Sequence, residues 1–109
     1  MGYIRHDAII VTSFDDKYLT PARDHAKALG LPVSEIVESL VNGYQTFLIA
    51  PDGSKEGWDE STKGDQARER LITWMREHPD LYLDWVHVNY GGDEPEQCSI
   101  IDFAQGSDE

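Results

Sequence analysis

The sequence predicts a single α+β domain, a ferredoxin-like β-α-β-β-α-β sandwich with an additional C-terminal strand. Three observations predict it: an apolar AIIV run near the N-terminus, an Asn42-Gly43 turn between apolar segments, and helical periodicity on either side of that hairpin. A chain of 109 residues can bury one core without disulfides. We therefore expect one domain over residues 1–104 and a polar, acidic tail over residues 105–109.

The first part of the chain predicts a strand followed by a helix. Residues 7–14 contain a short continuous apolar run, which is typical of a central strand with both faces covered. The helix would be capped by Asp15 or by Thr20, and the second choice places Pro21 at the first helical position, where its missing N–H costs nothing. Gly30 suits the position just beyond the helix end.

Residues 33–41 fit two structures. Their apolar residues match helical spacing, but an Asn-Gly turn, which needs positive φ at both central residues, favours a strand on each side. We favour the strand and keep a helix ending at Gly43 as the alternative. Residues 44–50 then form the second arm of the hairpin, and the turn residues at 51–54 end it.

The remaining chain predicts a helix and two strands. Ser61 or Thr62 would cap the helix, and Pro79 would stop it. Its apolar stripe, which we interpret as core, comprises Ala67, Leu71, Trp74, Met75 and His78. Residues 81–90 alternate with period two, which gives two sets of side chains on opposite faces: Trp85, His87 and Asn89 against Val86, Val88 and Tyr90. Residues 98–103 predict the last strand.

The chain is strongly acidic, with nine Lys and Arg against 21 Asp and Glu and a net charge of −12. No Lys or Arg follows Arg76. This charge argues against direct binding to DNA or anionic membranes, whose main attraction is to basic side chains. The acidic C-terminal third is either a solubilising surface or a face for a basic partner protein. In the second interpretation the partner-binding residues are Asp80, Asp84, Asp93, Glu94, Glu96 and Asp102.

The loop after the hairpin is the second candidate site. Ser54, Lys55 and Trp58 place a hydroxyl, a cation and a flat aromatic surface on an exposed connection, and with Arg68 they could bind a nucleotide. The alternative is structural, with Trp58 closing over the end of the core.

Other chemistry is absent or incomplete in the sequence. The four histidines have no metal-ligand spacing, and an EF-hand-like run at residues 52–63 ends in Lys63 where a bidentate carboxylate is needed. No nucleophile motif or dinucleotide-binding motif occurs. Cys98 has no cysteine partner and is predicted to be a small buried core residue. We expect no metal, no cofactor and no enzymatic activity.

Three stretches support a resemblance to a known group. RHDAIIVTS, VNGY followed by APDGSKEGW, and LDWVHVNYGGDE resemble small acidic bacteriophage-encoded proteins of unassigned function. The resemblance covers most of the chain and brings no catalytic residue. It implies a small early phage product that works by binding inside a bacterial host.

These observations lead to two classes of function and a third, less favoured alternative. The first is a host-protein inhibitor, directed at a basic or nucleic-acid-binding protein such as an antiviral-defence component. The second is a small-ligand binder that sequesters a nucleotide signal, and the third is a small hydrolase. The lone cysteine and the lack of a signal peptide or membrane-length apolar run favour the host cytoplasm. Association with further copies of the chain stays open.

Overall fold

The computed structural model describes residues 5–55, 57–91 and 98–105. They form one antiparallel sheet of five strands in the order β2-β3-β1-β4-β5 and two helices. This confirms an α+β fold. The elements are β1 Arg5–Ser13, α1 Asp16–Ala28, β2 Val37–Glu38, β3 Gln45–Ile49, α2 Asp59–Arg76, a short 3₁₀ helix Pro79–Leu81, β4 Asp84–Gly91 and β5 Ser99–Ala104.

The core lies between the helices and one face of the sheet. Large side chains from the three central strands interdigitate there with apolar residues of both helices. Strands and helices contribute Ile9, Val11, Phe47, Ile49, Trp85, Leu19, Ala22, Ala26, Leu71 and Met75. On α2 the predicted residue Leu71 is fully buried, and its neighbour Ile72 joins the core as well.

The central strand β1 is covered on one face only. Ile9 and Val11 are fully buried against the helices, whereas Ile10 between them is 42% exposed. Successive side chains of a strand point to opposite faces, so the apolar run supplies both a core row and a surface row. The prediction that both faces are covered is wrong, because α1 and α2 contribute their buried residues to the same core.

We call the other side of the sheet the open face. The register of the strands places on it the side chains paired with Ile10, which are Leu48 on β3 and Val86 on β4. Its large exposed apolar residues are Ile10, Val37, Leu48, Tyr90, Ile100 and Phe103. Leu48 is 39% exposed and Phe103 62% exposed, so the apolar surface runs from the β3 side of the sheet to β5.

Helix α1 begins at a capping residue and ends before a glycine. Asp15 caps α1 by accepting a hydrogen bond from the Lys17 backbone N–H at 3.1 Å, and this bond lowers the pKa of Asp15. The alternative start at Thr20 is therefore wrong, and Pro21 lies inside the helix. Gly30 follows the helix end with φ of +83°, as predicted.

Helix α2 begins earlier than predicted. Its N-cap is Trp58, three residues before Ser61, and no side chain caps it. Asp59 and Glu60 occupy the first turn, where their charges interact favourably with the helix dipole. The predicted caps Ser61 and Thr62 are consequently inside the helix.

Residues 33–41 are extended rather than helical. Only Val37 and Glu38 form a strand, and Val33 adds an isolated bridge to Ile49. The turn has the predicted backbone, because Asn42 and Gly43 have φ of 68° and 67°. The strand interpretation is confirmed in type, although the strand is much shorter than predicted.

A β-bulge shapes the edge strand β5. Pairing shifts between His87 and Val88, so that His87 faces Asp102 and Val88 faces Ile100. The extra residue, Ile101, lies on the α2 side of the sheet. Just before the strand, Cys98 is exposed, so its predicted burial is wrong. Of the predicted tail, residues 106–109 lie outside the described residues.

Candidate functional site

The candidate site is a cavity of about 690 Å³ at the end of the sheet where β1 begins and β4 ends. The loop after β3 and the first turns of α2 form its other walls. This volume falls within the range of small-molecule pockets. Basic, acidic and neutral polar groups line it: Arg5, Lys55, Arg68, Asp7, Asp52, Asp65, Ser54, Ser61 and Asn89.

Arg68 is a buried residue of the cavity wall and the centre of a cluster of charged side chains. Its side chain is only 4% exposed, and its guanidinium lies 2.5 Å from Asp65, one helical turn earlier on α2. The same group lies 3.6 Å from Asp7 on β1 and 3.6 Å from Asp52 in the loop after β3. A buried cation must be paired, and these three carboxylates join three separate segments around one charge.

Asp7 is held by the neighbouring strand as well. The Asn89 amide donates to it at 2.9 Å, and the His87 Nε2 lies 3.3 Å from the same oxygen. Arg5 in turn donates to the Asn89 side-chain oxygen at 2.5 Å and to the Gly91 carbonyl at 2.8 Å. Every one of these side chains is fixed by at least one partner, so the floor of the cavity is preorganised.

Asp52 closes the loop on itself. Its carboxylate accepts hydrogen bonds from the Ser54 backbone N–H at 2.9 Å and from the Ser54 hydroxyl at 2.6 Å. Burial raises the pKa of Asp52, but the Ser54 bonds and the Arg68 charge outweigh that effect and lower it below its ordinary value. Asp52 therefore stays ionised at neutral pH beside Arg68.

Helix α2 packs closely against this loop at Gly64. A Cβ atom on Gly64 would collide with the Asp52 carboxylate and approach the Arg68 guanidinium at 3.3 Å. The carboxylate therefore occupies the space above Gly64 and reaches Arg68 across the helix surface.

Lys55 and Trp58 are the other two residues of the predicted ligand site, and only Lys55 is part of the cavity lining. Lys55 lines the cavity and has no ion-pair partner among residues 5–55, 57–91 and 98–105. Trp58 is 51% exposed at the uncapped start of α2 and contributes nothing to the core. The interpretation that Trp58 closes over the core is therefore wrong.

The structure separates the two sets of predicted site residues. Ser54, Lys55 and Arg68 line one cavity, and Trp58 lies at the start of the helix that bounds it. Of the predicted acidic face, Asp80 lies in the 3₁₀ helix and Asp84 begins β4, where both are exposed. The other described member, Asp102, lies on β5, and three members fall outside the described residues: Asp93, Glu94 and Glu96.

Asp102 is paired within the chain. Arg76 on α2 donates to its carboxylate at 2.5 Å, and the Phe103 backbone N–H donates at 2.9 Å. The bond from Arg76 is the main cause that lowers the pKa of Asp102, with burial opposing it and the Phe103 bond and nearby charges adding to it. Asp102 thus ties β5 to α2 beside a second cavity of about 560 Å³ that also contacts Arg68.

Sequence reasoning missed Asp7, Asp65 and Asn89. For Asp65 a local signal existed, because residues three apart on a helix are neighbours and Asp65 precedes Arg68 by three. Asp7 and Asn89 meet only through strand pairing between β1 and β4, 82 positions apart. No pattern within either segment indicates that contact.

Within the described residues, no group of three or more His, Cys, Asp or Glu side chains is placed to hold a metal ion. None of the helices among those residues combines the length and the apolarity needed to cross a membrane.

Comparison with known proteins adds no relative. No protein-family model, no curated protein and no solved structure matches the chain.

Proposed function

We propose that this chain is a non-enzymatic binding protein that holds a small phosphate-bearing ligand of the nucleotide class. The observation that carries the proposal is the convergence of Ser54, Lys55 and Arg68 on one cavity of about 690 Å³. Three separate segments hold the carboxylates around Arg68, so a ligand meets a wall that is already ordered.

The phosphate is assigned to the side of the cavity near α2. Lys55 supplies a point charge there that no carboxylate of the described residues neutralises. The nearby first turn of α2 adds the Ser61 hydroxyl, a hydrogen-bond donor, to the cavity lining. Arg68 contributes less directly, since three carboxylates already surround it.

The rest of a nucleotide matches the other groups. Base amino groups and ribose hydroxyls are donors, and the carboxylates of Asp7 and Asp52 are acceptors on the cavity wall. Trp58 directly follows the lining residue Gly57, and its exposed ring offers a stacking surface for a base. The cavity brings three basic and three acidic side chains together, so it selects a ligand with both kinds of group over a bare polyanion.

A thermal-shift screen against cyclic and linear nucleotides tests the proposal. A ligand present at a hundred times its dissociation constant stabilises the folded state by about 2.7 kcal/mol. Lys55→Ala should abolish the shift, whereas Lys63→Ala, which removes an exposed lysine of α2 outside the cavity lining, should keep it. No shift with any nucleotide, or an equal shift in Lys55→Ala, would overturn the proposal.

A second candidate function is the inhibition or redirection of a basic host protein. The net charge of −12 and the exposure of Asp80 and Asp84 favour it. The resemblance to small phage proteins supplies the context, a bacterial cytoplasm and a partner in antiviral defence. Opposed charges would steer association, so binding should weaken steeply with added salt.

Affinity capture from bacterial lysate at low and high salt tests this candidate. Wild-type protein should retain a basic or nucleic-acid-binding protein at low salt only. Reversal of Asp80 and Asp84 to Lys, or of Asp93, Glu94 and Glu96 to Lys, should release it. Capture that is independent of salt and of both sets of reversals would contradict the acidic-surface hypothesis.

We also propose that the architecture is ferredoxin-like. The alternation of strands and helices and the position of β1 between β3 and β4 support this assignment, with β5 as an addition beyond β4.

A further inference from the structure

We propose that two copies of this chain associate through their open faces, sheet against sheet. The open face carries six of the twelve large hydrophobic residues that are exposed in the described part of the chain: Ile10 at its centre is 42% exposed, and Ile100 at its β5 end is 66% exposed. Apolar patches of this kind on a protein surface are often interaction sites.

The chemistry of the face indicates a partner like itself. The strand register places only His6, Tyr90 and Asp84 there as ionisable side chains among the described residues. The whole chain nevertheless carries 21 acidic residues and a net charge of −12. A basic partner would find almost no charge to recognise on the open face, whereas a second apolar sheet would match it.

The sheet order makes the face self-complementary. Strand β1 is central, and its Ile10 is flanked by Leu48 on β3 and by Val86 on β4. A two-fold axis that runs parallel to β1, between the Ile10 side chains of the two copies, would stack β1 on β1 and place β3 of one copy over β4 of the other. Both flanks are apolar, so each copy presents the surface that the other requires.

The area of the open face is close to that of the smallest specific interfaces. Four strands spaced about 4.8 Å apart and about 20 Å long give a planar footprint of roughly 400 Å² before side-chain relief and β2 are added. Side chains that rise from a sheet increase its accessible area beyond the footprint. The accessible area of the face therefore approaches the lower limit for specific interfaces, which is about 600 Å² per partner. Stacked sheets pack about 10 Å apart, with both helical layers outside.

This arrangement leaves the nucleotide cavity accessible. The cavity is bounded by α2 on the covered side of the sheet, so a dimer would present two cavities on its outer surfaces. The proposed dimer is therefore independent of ligand binding, and each can fail without the other.

Sedimentation velocity and light scattering across a wide concentration range test the proposal. Wild-type protein should reach twice the monomer mass of 12.3 kDa. Ile100→Glu should raise the dimer dissociation constant by at least about tenfold, because it buries an unpaired carboxylate. The matched control is Ile101→Glu, since this neighbour is 55% exposed but lies on the α2 side of the bulge.

A second variant and the effect of salt test the same interface. Phe103→Glu should act like Ile100→Glu, and circular dichroism should show that both variants keep the wild-type fold. Added salt should strengthen the dimer or leave it unchanged, because it screens repulsion between two acidic chains. A monomer at all concentrations, or a dimer lost equally in Ile100→Glu and Ile101→Glu, would overturn face-to-face association.

Discussion

The guanidinium of Arg68 on α2 lies 3.6 Å from the carboxylate of Asp7 on β1. The Arg68 side chain is almost completely buried. This contact joins the second helix to the central strand at the edge of the candidate cavity. Asp52 and Asp65 complete the surroundings of the guanidinium. The charge cluster is therefore both a structural joint and a wall of the proposed binding site.

Replacement of Arg68 by Met should destabilise the protein by about 3 kcal/mol, since it leaves carboxylates at a partly buried site without their cation. Partial exposure of Asp7 and Asp52 lets water offset some of the cost. Urea unfolding at neutral pH measures the change. Arg70→Met, an exposed position on the same helix, should change the unfolding free energy by less than about 0.5 kcal/mol. Equal stability of Arg68→Met and wild type would show that the cluster stabilises nothing.

The Asp102 pair with Arg76 should make stability depend on acid pH. Its folded-state pKa is lowered from the ordinary 3.8, so its contribution is complete above that value and is lost as pH falls below it. Asp102→Asn should therefore flatten the decline in unfolding free energy at acid pH. At neutral pH it should cost less than about 1 kcal/mol, because the pair is solvent-screened.

Unfolding titrations from neutral to acid pH measure this difference. Glu69→Gln, at an exposed position of α2, is the control and should leave the acid slope unchanged. An unaltered slope in Asp102→Asn would show that the Arg76 contact does not persist in solution.

Gly43→Ala should destabilise the hairpin by about 1 kcal/mol, because Gly43 has φ of +67° and side chains other than glycine are strained there. A Cβ at this position would meet no atom within 4 Å, so the cost is conformational rather than steric. Asn42→Gly should be nearly neutral, since glycine adopts the same φ freely. Thermal unfolding of both variants distinguishes this strain from a general sensitivity of the turn.

Gly64→Ala should separate ligand binding from stability. The new methyl group would displace the Asp52 carboxylate, while alanine favours the helix by about 1 kcal/mol. These effects oppose each other, so the unfolding free energy should change little and nucleotide binding should weaken. Calorimetry with the nucleotide found in the screen measures binding, with Gln66→Ala on the exposed face of α2 as control. Unchanged affinity in Gly64→Ala would remove Asp52 from the binding site.

Patterns within a segment determined most of the secondary structure. The period-two alternation of β4 divided its side chains between two faces, and the structure shows that the face of Trp85 is the core side. The Asn-Gly pair specified the backbone of its turn. Local patterns did not fix the starts of the helices, because several residues could cap each one. At α2 the predicted cap was wrong, since the favourable acidic first turn begins at Asp59.

The site was predictable only in part. Ser54, Lys55 and Arg68 carried recognisable chemistry, and the structure brings them to one cavity. The acidic residues paired with Arg68 looked like any other surface charges, because their roles depend on which segments the fold places side by side.

By itself, then, the sequence determined the α+β class, the two helices and part of the core, including Ala22, Ala26 and Leu71, because periodicity and turn chemistry act over short distances. Tertiary structure alone decided that one face of the sheet stays open and that Asp7, Asn89 and Arg68 meet at one end of it. Strand order and register fix those contacts. The order and register depend in turn on the whole chain packing around one core rather than on any local run of residues.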